Sequence, residues 1–232
     1  MNERLLFSLK ILKSSTQRKH VFRWLASLQE DYLLRHRRPW LVFDAIDFLS
    51  SLELDGKHVF EYGSGGSTLF WLAKGARCVS IEHDRSWYTR LKALLPNTPR
   101  LDYRLSEPEA DRSNPVTNRA PSDPESYATD DRMLRELNFR KYASQIDEFE
   151  DGFFDAILVD GRARPSCIKH SARKVKPGGI LILDNADRPY YTERTQPYLR
   201  DFICTKYFGV TPCVLSITQT NVYTREPKDI EI

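Results

Sequence analysis

Apolar positions follow two different periods along the chain. From Leu5 to Leu34 they recur at helical spacing, which predicts one or two helices, and after Pro39 the segment Trp40–Leu52 has the same pattern. From His58 onward, short continuous apolar runs alternate with helix-like segments. Continuous apolar runs are typical of parallel strands that are buried on both faces. The chain therefore predicts a helical cap over residues 1–52, followed by an alternating α/β domain over residues 53–226.

The alternating part predicts seven strands. They are His58–Tyr62, Cys78–Glu82, Leu101–Leu105, Phe154–Val159, Ile180–Leu183, Lys206–Val210 and Cys213–Tyr223. Helices are expected between them at Ser67–Lys74, Ser86–Leu95, Phe139–Phe149, Ser166–Val175 and Tyr190–Ile203. Such alternation indicates a doubly wound α/β sheet. Residues 107–137 interrupt the rhythm with four prolines among Ser, Asn and Asp, and we expect this insertion to be a lid.

Composition narrows the function classes. The 232 residues carry a net charge of +3, too balanced for a protein that wraps nucleic acid, and no apolar run approaches the length of a transmembrane helix. Four scattered cysteines and the lack of a signal-peptide pattern predict a cytoplasmic protein. The first 40 residues nevertheless hold nine Lys or Arg against three acids. This basic stretch is either a solvated cap or a surface for anionic lipid, nucleic acid or an acidic partner.

A glycine turn follows the first predicted strand. Residues 61–68 read EYGSGGST, and glycines at such a place let the backbone approach a ligand closely. Glu82 ends the next strand, where a carboxylate can accept hydrogen bonds from both hydroxyls of a ribose. We expect Glu61 to point toward the ligand, where it repels a pyrophosphate and suits a cationic amino-acid group. With Thr68 at the third-glycine position, this favours S-adenosylmethionine over a nicotinamide dinucleotide. The alternatives without a ligand are that Glu61 caps the end of its strand and that Glu82 forms a surface ion pair.

The stretches VFEYGSGGST and CVSIEHD resemble the first two motifs of class I S-adenosylmethionine-dependent methyltransferases, and the resemblance runs from about Lys57 to Tyr223. It implies a Rossmann-like fold with a C-terminal antiparallel hairpin. It also implies that Glu61 lies near the amino group of the cofactor through water or backbone, that Gly63 and Gly65 lie beneath the methionine portion, and that Glu82 holds the ribose. The rest of the expected cofactor set comprises His83 and Asp84 beside the adenine, with Ser64, Ser67, Thr68 and Asp160.

Two later strands end in acids. FDAILVDGRAR places Asp160 at a strand end, and GGILILDNADR places Asp184 and Asn185 at the next. This oxygen-rich cluster suits Mg²⁺ or Ca²⁺. It is similar to the metal site of the catechol and caffeoyl-CoA O-methyltransferases, and this resemblance implies that Asp160, Asp184 and Asn185 are metal ligands. Where that family has a lysine base, this chain has Ala163 between two arginines. Arginine is a poor base, so the metal-dependent interpretation stays open beside a metal-free one.

In the metal-free interpretation, Asp160 lies beside the sulfonium, and Arg162 or Asn185 orients the acceptor. Arg162 and Arg188 flank the two motifs and suggest an anionic acceptor. The sequence therefore predicts methyl transfer to a small acceptor, with a hydroxyl oxygen favoured. An NAD-dependent oxidoreductase and a degenerate cofactor-binding module that docks through its basic N-terminus are the alternatives. No nucleic-acid partner is expected, and a homodimer is possible.

Overall fold

Seven strands form one mixed sheet. The structure is a computed structural model, and it describes residues 3–110 and 120–227. Its strands are β1 (His58–Tyr62), β2 (Arg77–Glu82), β3 (Leu101–Leu105), β4 (Glu109–Ala110), β5 (Leu137–Asn138), β6 (Phe154–Val159), β7 (Val175–Leu183), β8 (Phe202–Val210) and β9 (Ile217–Arg225). The order in the seven-stranded sheet is β3-β2-β1-β6-β7-β9-β8. Strand β9 runs antiparallel to both β7 and β8, and the other pairings in this sheet are parallel. The predicted α/β, Rossmann-like sheet with a closing antiparallel hairpin is confirmed.

Helices cover both faces of this sheet. They are α1 (Glu3–Lys13), α2 (Val21–Ser27), α3 (Tyr32–Arg35), α4 (Phe43–Ser51), α5 (Gly66–Ala73), α6 (Arg85–Lys92), α7 (Arg140–Ala143), α8 (Arg164–Ser171) and α9 (Pro189–Thr192). Side chains alternate along each strand, so β1 sends Phe60 into a core with α7 and α8, and Val59 into a core with α4 and α5. The helices of the cap contribute Phe7, Ile11 and Trp24 to this second core. Both faces are thus covered, as the apolar runs predicted.

Several predicted elements have different bounds, and strands β7 and β8, for example, begin earlier than predicted, at Val175 and Phe202. The segment expected as one helix over residues 190–203 consists of the short α9, a 3-10 turn at Gln196–Tyr198 that contains Pro197, and the start of β8. Proline cannot continue a helix because it lacks the N–H donor and clashes with the preceding turn. Helix α7 is likewise only four residues long and passes into a 3-10 turn, Ser144–Glu148. Strand β9 begins at Ile217 rather than at Cys213, which lies in the turn after β8 with a left-handed φ of 68°.

The insertion is closed at its base by β4 and β5, which pair with each other in antiparallel fashion. Residues 111–119, which include Pro115, lie outside the described part of the chain. Beyond them, Tyr127 is buried and its hydroxyl lies 3.1 Å from Nε2 of His170 in α8. The described end of the insertion therefore packs on the α8 side of the sheet.

Candidate active site

The glycine turn connects β1 to α5 and takes its shape from two close approaches. Gly63 has φ 90°, and a Cβ there would lie 3.0 Å from Cα of Gly161, so the turns after β1 and β6 are in contact. A Cβ on Gly66 would lie 2.2 Å from the carbonyl oxygen of Arg38, because the backbone of the cap rests on this residue. A Cβ on Gly65 would meet nothing within 4 Å. The turn is therefore packed on two sides and open at Gly65.

Glu61 lies beneath this turn and is fully buried. Its carboxylate accepts hydrogen bonds from the hydroxyls of Thr68 and Ser80 (2.7 Å from the latter) and from Nε1 of Trp71 at 3.1 Å. Burial raises the pKa of Glu61 to about 7, although these hydrogen bonds act in the opposite direction. The carboxylate joins β1 and β2 to the first turns of α5, so it does not point outward at the strand end as expected. Any contact of Glu61 with a ligand would therefore run through water or backbone, and a direct repulsion of a pyrophosphate is not supported.

Glu82 ends β2 at the mouth of the turn and is 3% exposed. One carboxylate oxygen accepts from the backbone N–H of Ser64 at 3.2 Å and from its hydroxyl at 2.8 Å. The other accepts from the backbone N–H groups of His83 and Asp84 at 2.7 and 2.8 Å. Burial alone would raise the pKa of Glu82, but the contacts with His83, Asp84 and Ser64 outweigh it and lower that pKa. Glu82 is thus an ionised acceptor.

The residues after Glu82 form one wall of the site. Asp84 caps α6 by accepting from the backbone N–H of Trp87 at 2.9 Å. The indole Nε1 of Trp87 in turn donates to the carbonyl oxygen of Ser64 at 2.9 Å. This contact ties α6 to the glycine turn. Trp87 was not among the predicted site residues, although its position three residues after the N-cap Asp84 places it next to the predicted ribose acid.

Two acids meet at the tips of β6 and β7, with a buried arginine between them. Arg164 donates from Nη2 to Oδ1 of Asp160 at 3.0 Å and from Nη1 to the backbone oxygen of Asp184. Its Nε donates to the carbonyl oxygen of Gly161 at 3.1 Å. Burial and the nearby Asp184 raise the pKa of Asp160 well above its usual range, despite Arg164. Burial likewise raises the pKa of Asp184, whose Oδ1 accepts from the hydroxyl of Thr220 at 2.7 Å.

The other predicted acceptor-side residues lie around this pair of acids. Asn185 has φ 51°, and its Nδ2 donates to the hydroxyl of Thr218 at 3.3 Å. Arg162 forms an ion pair with Asp131 of the insertion at 3.0 Å, and Arg188 lies 3.5 Å from Asp130. Both arginines that were expected to clamp an anionic acceptor therefore already face aspartates. The described part of the insertion reaches the site through these two pairs.

Two adjoining cavities lie over the strand tips. The larger, about 770 Å³, is lined by nine predicted site residues, namely Gly63, Ser64, Glu82, His83, Asp84, Asp160, Arg162, Asp184 and Asn185. The smaller, about 460 Å³, lies over Gly65 and Ser67 and is roofed by residues 27–34 of the cap. Trp40, Trp87 and Asp160 line both. Glu61 and Thr68 line neither, and the described residues of the insertion line neither. Of the described residues, those of the cap rather than those of the insertion cover the glycine turn.

The predicted metal ligands share the larger cavity, but Arg164 changes their chemistry. Its guanidinium supplies to Asp160 the positive charge that a divalent ion would otherwise supply. Among the described residues, one set of three His, Cys, Asp or Glu side chains is close enough for a metal ion, namely His20, Asp44 and Asp47 in the cap. There Lys19 and Arg23 pair with the two acids at 2.5 and 2.7 Å. The arrangement at the strand tips fits a metal ion poorly.

Comparisons with known proteins place the fold. No family model and no curated protein matches the chain. A structural-genomics protein from Corynebacterium glutamicum is similar over 92% of this chain and 99% of its own, with a TM-score of 0.58 and 11% identity. MtNAS in complex with S-adenosylmethionine aligns over 97% of this chain and 72% of its own at a TM-score of 0.48 and 10% identity. A precorrin-6y C5,15-methyltransferase from Geobacter metallireducens aligns over 76% of this chain and 85% of its own at a TM-score of 0.43 and 13% identity. At such identity the likeness concerns the fold alone, which is a Rossmann-like fold.

None of the helices within residues 3–110 and 120–227 has the length and apolar character that a membrane span requires.

Proposed function

We propose that this chain is an S-adenosylmethionine-dependent methyltransferase that acts on a hydroxyl oxygen of a small molecule. The observation that carries the proposal is the larger cavity, in which Glu82 and Asp160 lie on either side of the turn after β1. Ligands of open α/β sheets bind at this edge, outside the carboxyl ends of the strands. When bound, S-adenosylmethionine would supply a methyl group on a cationic sulfur.

The residues fit such a ligand. Gly65 leaves open space at the turn, and Glu82 offers an ionised carboxylate at the cavity wall for ribose hydroxyls. The hydroxyl of Ser64, which now donates to Glu82, can rotate away to make room for them. The antiparallel β9 between β7 and β8 also departs from the order 3-2-1-4-5-6 of dinucleotide-binding sheets. This topology replaces the argument from Glu61 in disfavouring an NAD-dependent oxidoreductase.

Asp160 is the group that we assign as acceptor of the hydroxyl proton. Its raised pKa brings its basicity closer to neutral pH, and Arg164 fixes the orientation of its carboxylate at 3.0 Å. Asn185 and Arg162 lie in the same cavity and would orient the acceptor. Because Arg164 neutralises Asp160, we favour the metal-free interpretation. The main contribution to rate would then be alignment of the acceptor oxygen in a covered site.

The first test is calorimetric titration with S-adenosylhomocysteine, with and without Mg²⁺, and with NADH in parallel. We expect S-adenosylhomocysteine to bind with an affinity that Mg²⁺ does not change, and NADH not to bind. Binding of NADH alone would support the oxidoreductase. The absence of binding by either compound to folded protein would favour the module that docks through its N-terminus.

The second test removes the ribose acid. Glu82→Ala should weaken S-adenosylhomocysteine binding by about ten- to a hundredfold, because hydrogen bonds to a charged acceptor are the stronger kind. Glu107→Ala is a matched control, since Glu107 is an exposed acid that pairs with Arg85. A folded Glu82→Ala variant with unchanged affinity would remove Glu82 from the site.

A further inference from the structure

Helix α1 is apolar on two opposite sides. Phe7 and Ile11 are buried against the rest of the cap and the sheet. Leu5, Leu9 and Leu12 lie within about 60° of one another on the other side, given 100° per residue, and are 52, 42 and 50% exposed. A surface helix ordinarily has one apolar face and one polar face. The outer leucine stripe of α1 therefore remains about half exposed to solvent.

Exposed apolar side chains and positive charge concentrate in the same part of the molecule. Of the twelve large apolar residues that are exposed in the described chain, seven lie within the first 40 residues, including Phe22 at 80% and Leu25 at 43% on α2. The same 40 residues carry nine Lys or Arg and three acids, which leaves the remainder of the chain with net negative charge. Lys10, Lys13 and Arg18 are exposed beside or just after the leucine stripe. Leucines flanked by lysines are the features of a helix that lies in the interface of an anionic membrane.

We propose that the leucine stripe of α1 and the exposed basic residues around it bind the surface of an anionic lipid membrane. Leu5, Leu9 and Leu12 would enter the boundary between headgroups and acyl chains, and Lys10 and Lys13 would lie among the phosphates. A second copy of this chain fits the stripe less well, because pairing two α1 helices would bring two strongly basic caps together. This surface is separate from the reaction proposed above, since neither α1 nor Phe22 lines the cavities.

The test is co-sedimentation of the full chain with vesicles of phosphatidylcholine alone or of phosphatidylcholine with phosphatidylserine. We expect binding to the anionic vesicles, weak binding to the neutral ones, and a decrease as salt is added. Leu5→Ser/Leu9→Ser/Leu12→Ser and, separately, Lys10→Glu/Lys13→Glu should each reduce binding by about tenfold or more. Circular dichroism and the melting temperature should show that both variants are folded, because every substituted side chain is exposed.

A matched variant removes the same number of exposed apolar side chains elsewhere. Leu94→Ser/Met133→Ser/Ile203→Ser changes residues that are 54, 89 and 60% exposed, and it should bind vesicles like the wild type. The proposal is overturned if the wild type does not sediment with anionic vesicles or if the triple variant of α1 binds them equally well. It is also overturned if light scattering shows a dimer that this triple variant converts to monomer, since the stripe would then belong to a second copy.

Discussion

At the scale of single residues, Glu61 links the stability of the fold to pH. Its pKa in the folded protein is about 7, against a usual value of 4.5, because the carboxyl group is fully buried. The folded state therefore binds this proton more tightly than the unfolded state does. The contribution of Glu61 to the free energy of unfolding is largest below about pH 4.5 and is lost as the pH rises through about 7.

Glu61→Gln should abolish that dependence, because the amide keeps the shape of the protonated acid and the hydroxyls of Thr68 and Ser80 can rotate to accept from it. The stability of the wild type relative to Glu61→Gln should fall by about 2 kcal/mol between about pH 5 and about pH 8. Urea unfolding of both proteins at several pH values measures this difference in stability. Other groups that titrate in the same range affect both proteins equally, so their effect cancels in the difference. Parallel pH profiles for the two proteins would contradict the assigned pKa.

Arg164 differs from Glu61 because it is a buried cation. We expect its positive charge to stabilise the fold by offsetting the two acids beside it. Arg164→Gln leaves Asp160 and Asp184 near each other without the guanidinium between them, and it should cost about 3 kcal/mol or more of unfolding free energy near neutral pH. The loss should shrink in acid, where both carboxyl groups take up protons. Arg173→Gln is the control, because Arg173 is 59% exposed and should change stability by less than about 1 kcal/mol. Equal effects of the two substitutions would refute the role of Arg164.

At the scale of elements, adjacent glycines of the turn should respond differently to a methyl group. Gly66→Ala places a Cβ 2.2 Å from the carbonyl oxygen of Arg38, so the cap must move, and we expect a loss of about 1 to 3 kcal/mol. Gly65→Ala meets no atom within 4 Å and should stay within about 1 kcal/mol of the wild type. Urea unfolding measures both. Because Gly65 lines a cavity, its variant should instead weaken S-adenosylhomocysteine binding.

If Gly65→Ala proved the more destabilising of the two, the packing of the cap on the turn would be incorrect. Limited proteolysis gives an independent measurement, since Gly66→Ala should speed cleavage within residues 27–40.

Strands β1, β2, β6 and β7 were predictable because each contains a short apolar run, and the strand tips that carry Glu82, Asp160 and Asp184 followed from them. The direction of Glu61 was also available from sequence: alternation along β1 puts it on the same face as Val59, toward Thr68 and Trp71 of α5. The prediction of a ligand-facing Glu61 disregarded this alternation. The contact of Arg38 with Gly66 could not be predicted from the sequence, because it depends on backbone packing between distant segments. The helices predicted near residues 140 and 190 were too long, because proline and tertiary packing outweigh helical propensity there.

At the scale of the whole molecule, the cap and the sheet share a core. Trp24 is fully buried among residues of the sheet face, and its Nε1 donates to the carbonyl oxygen of Val214 at 2.7 Å. The side chain of Gln17 accepts from the backbone N–H of Val210 at 3.0 Å. Thr220 of β9 donates to Asp184 while its hydroxyl accepts from the backbone N–H of Val42 at 3.2 Å. The predicted boundary at residue 52 thus crosses a continuous hydrophobic core.

Because of this shared core, the full chain should unfold in one transition, and a chain that lacks residues 1–52 should not fold. Its removal takes away Trp24, Phe43 and Leu49, whose partners on β6, β7 and β9 would then be exposed to water. Circular dichroism and tryptophan fluorescence in urea should give coincident curves for the full chain, since cooperative unfolding makes different probes report the same equilibrium. The shortened chain should aggregate or lack a cooperative transition. A shortened chain with a sharp transition of its own would show that residues 53–226 form an independent domain and that the cap is an addition to it.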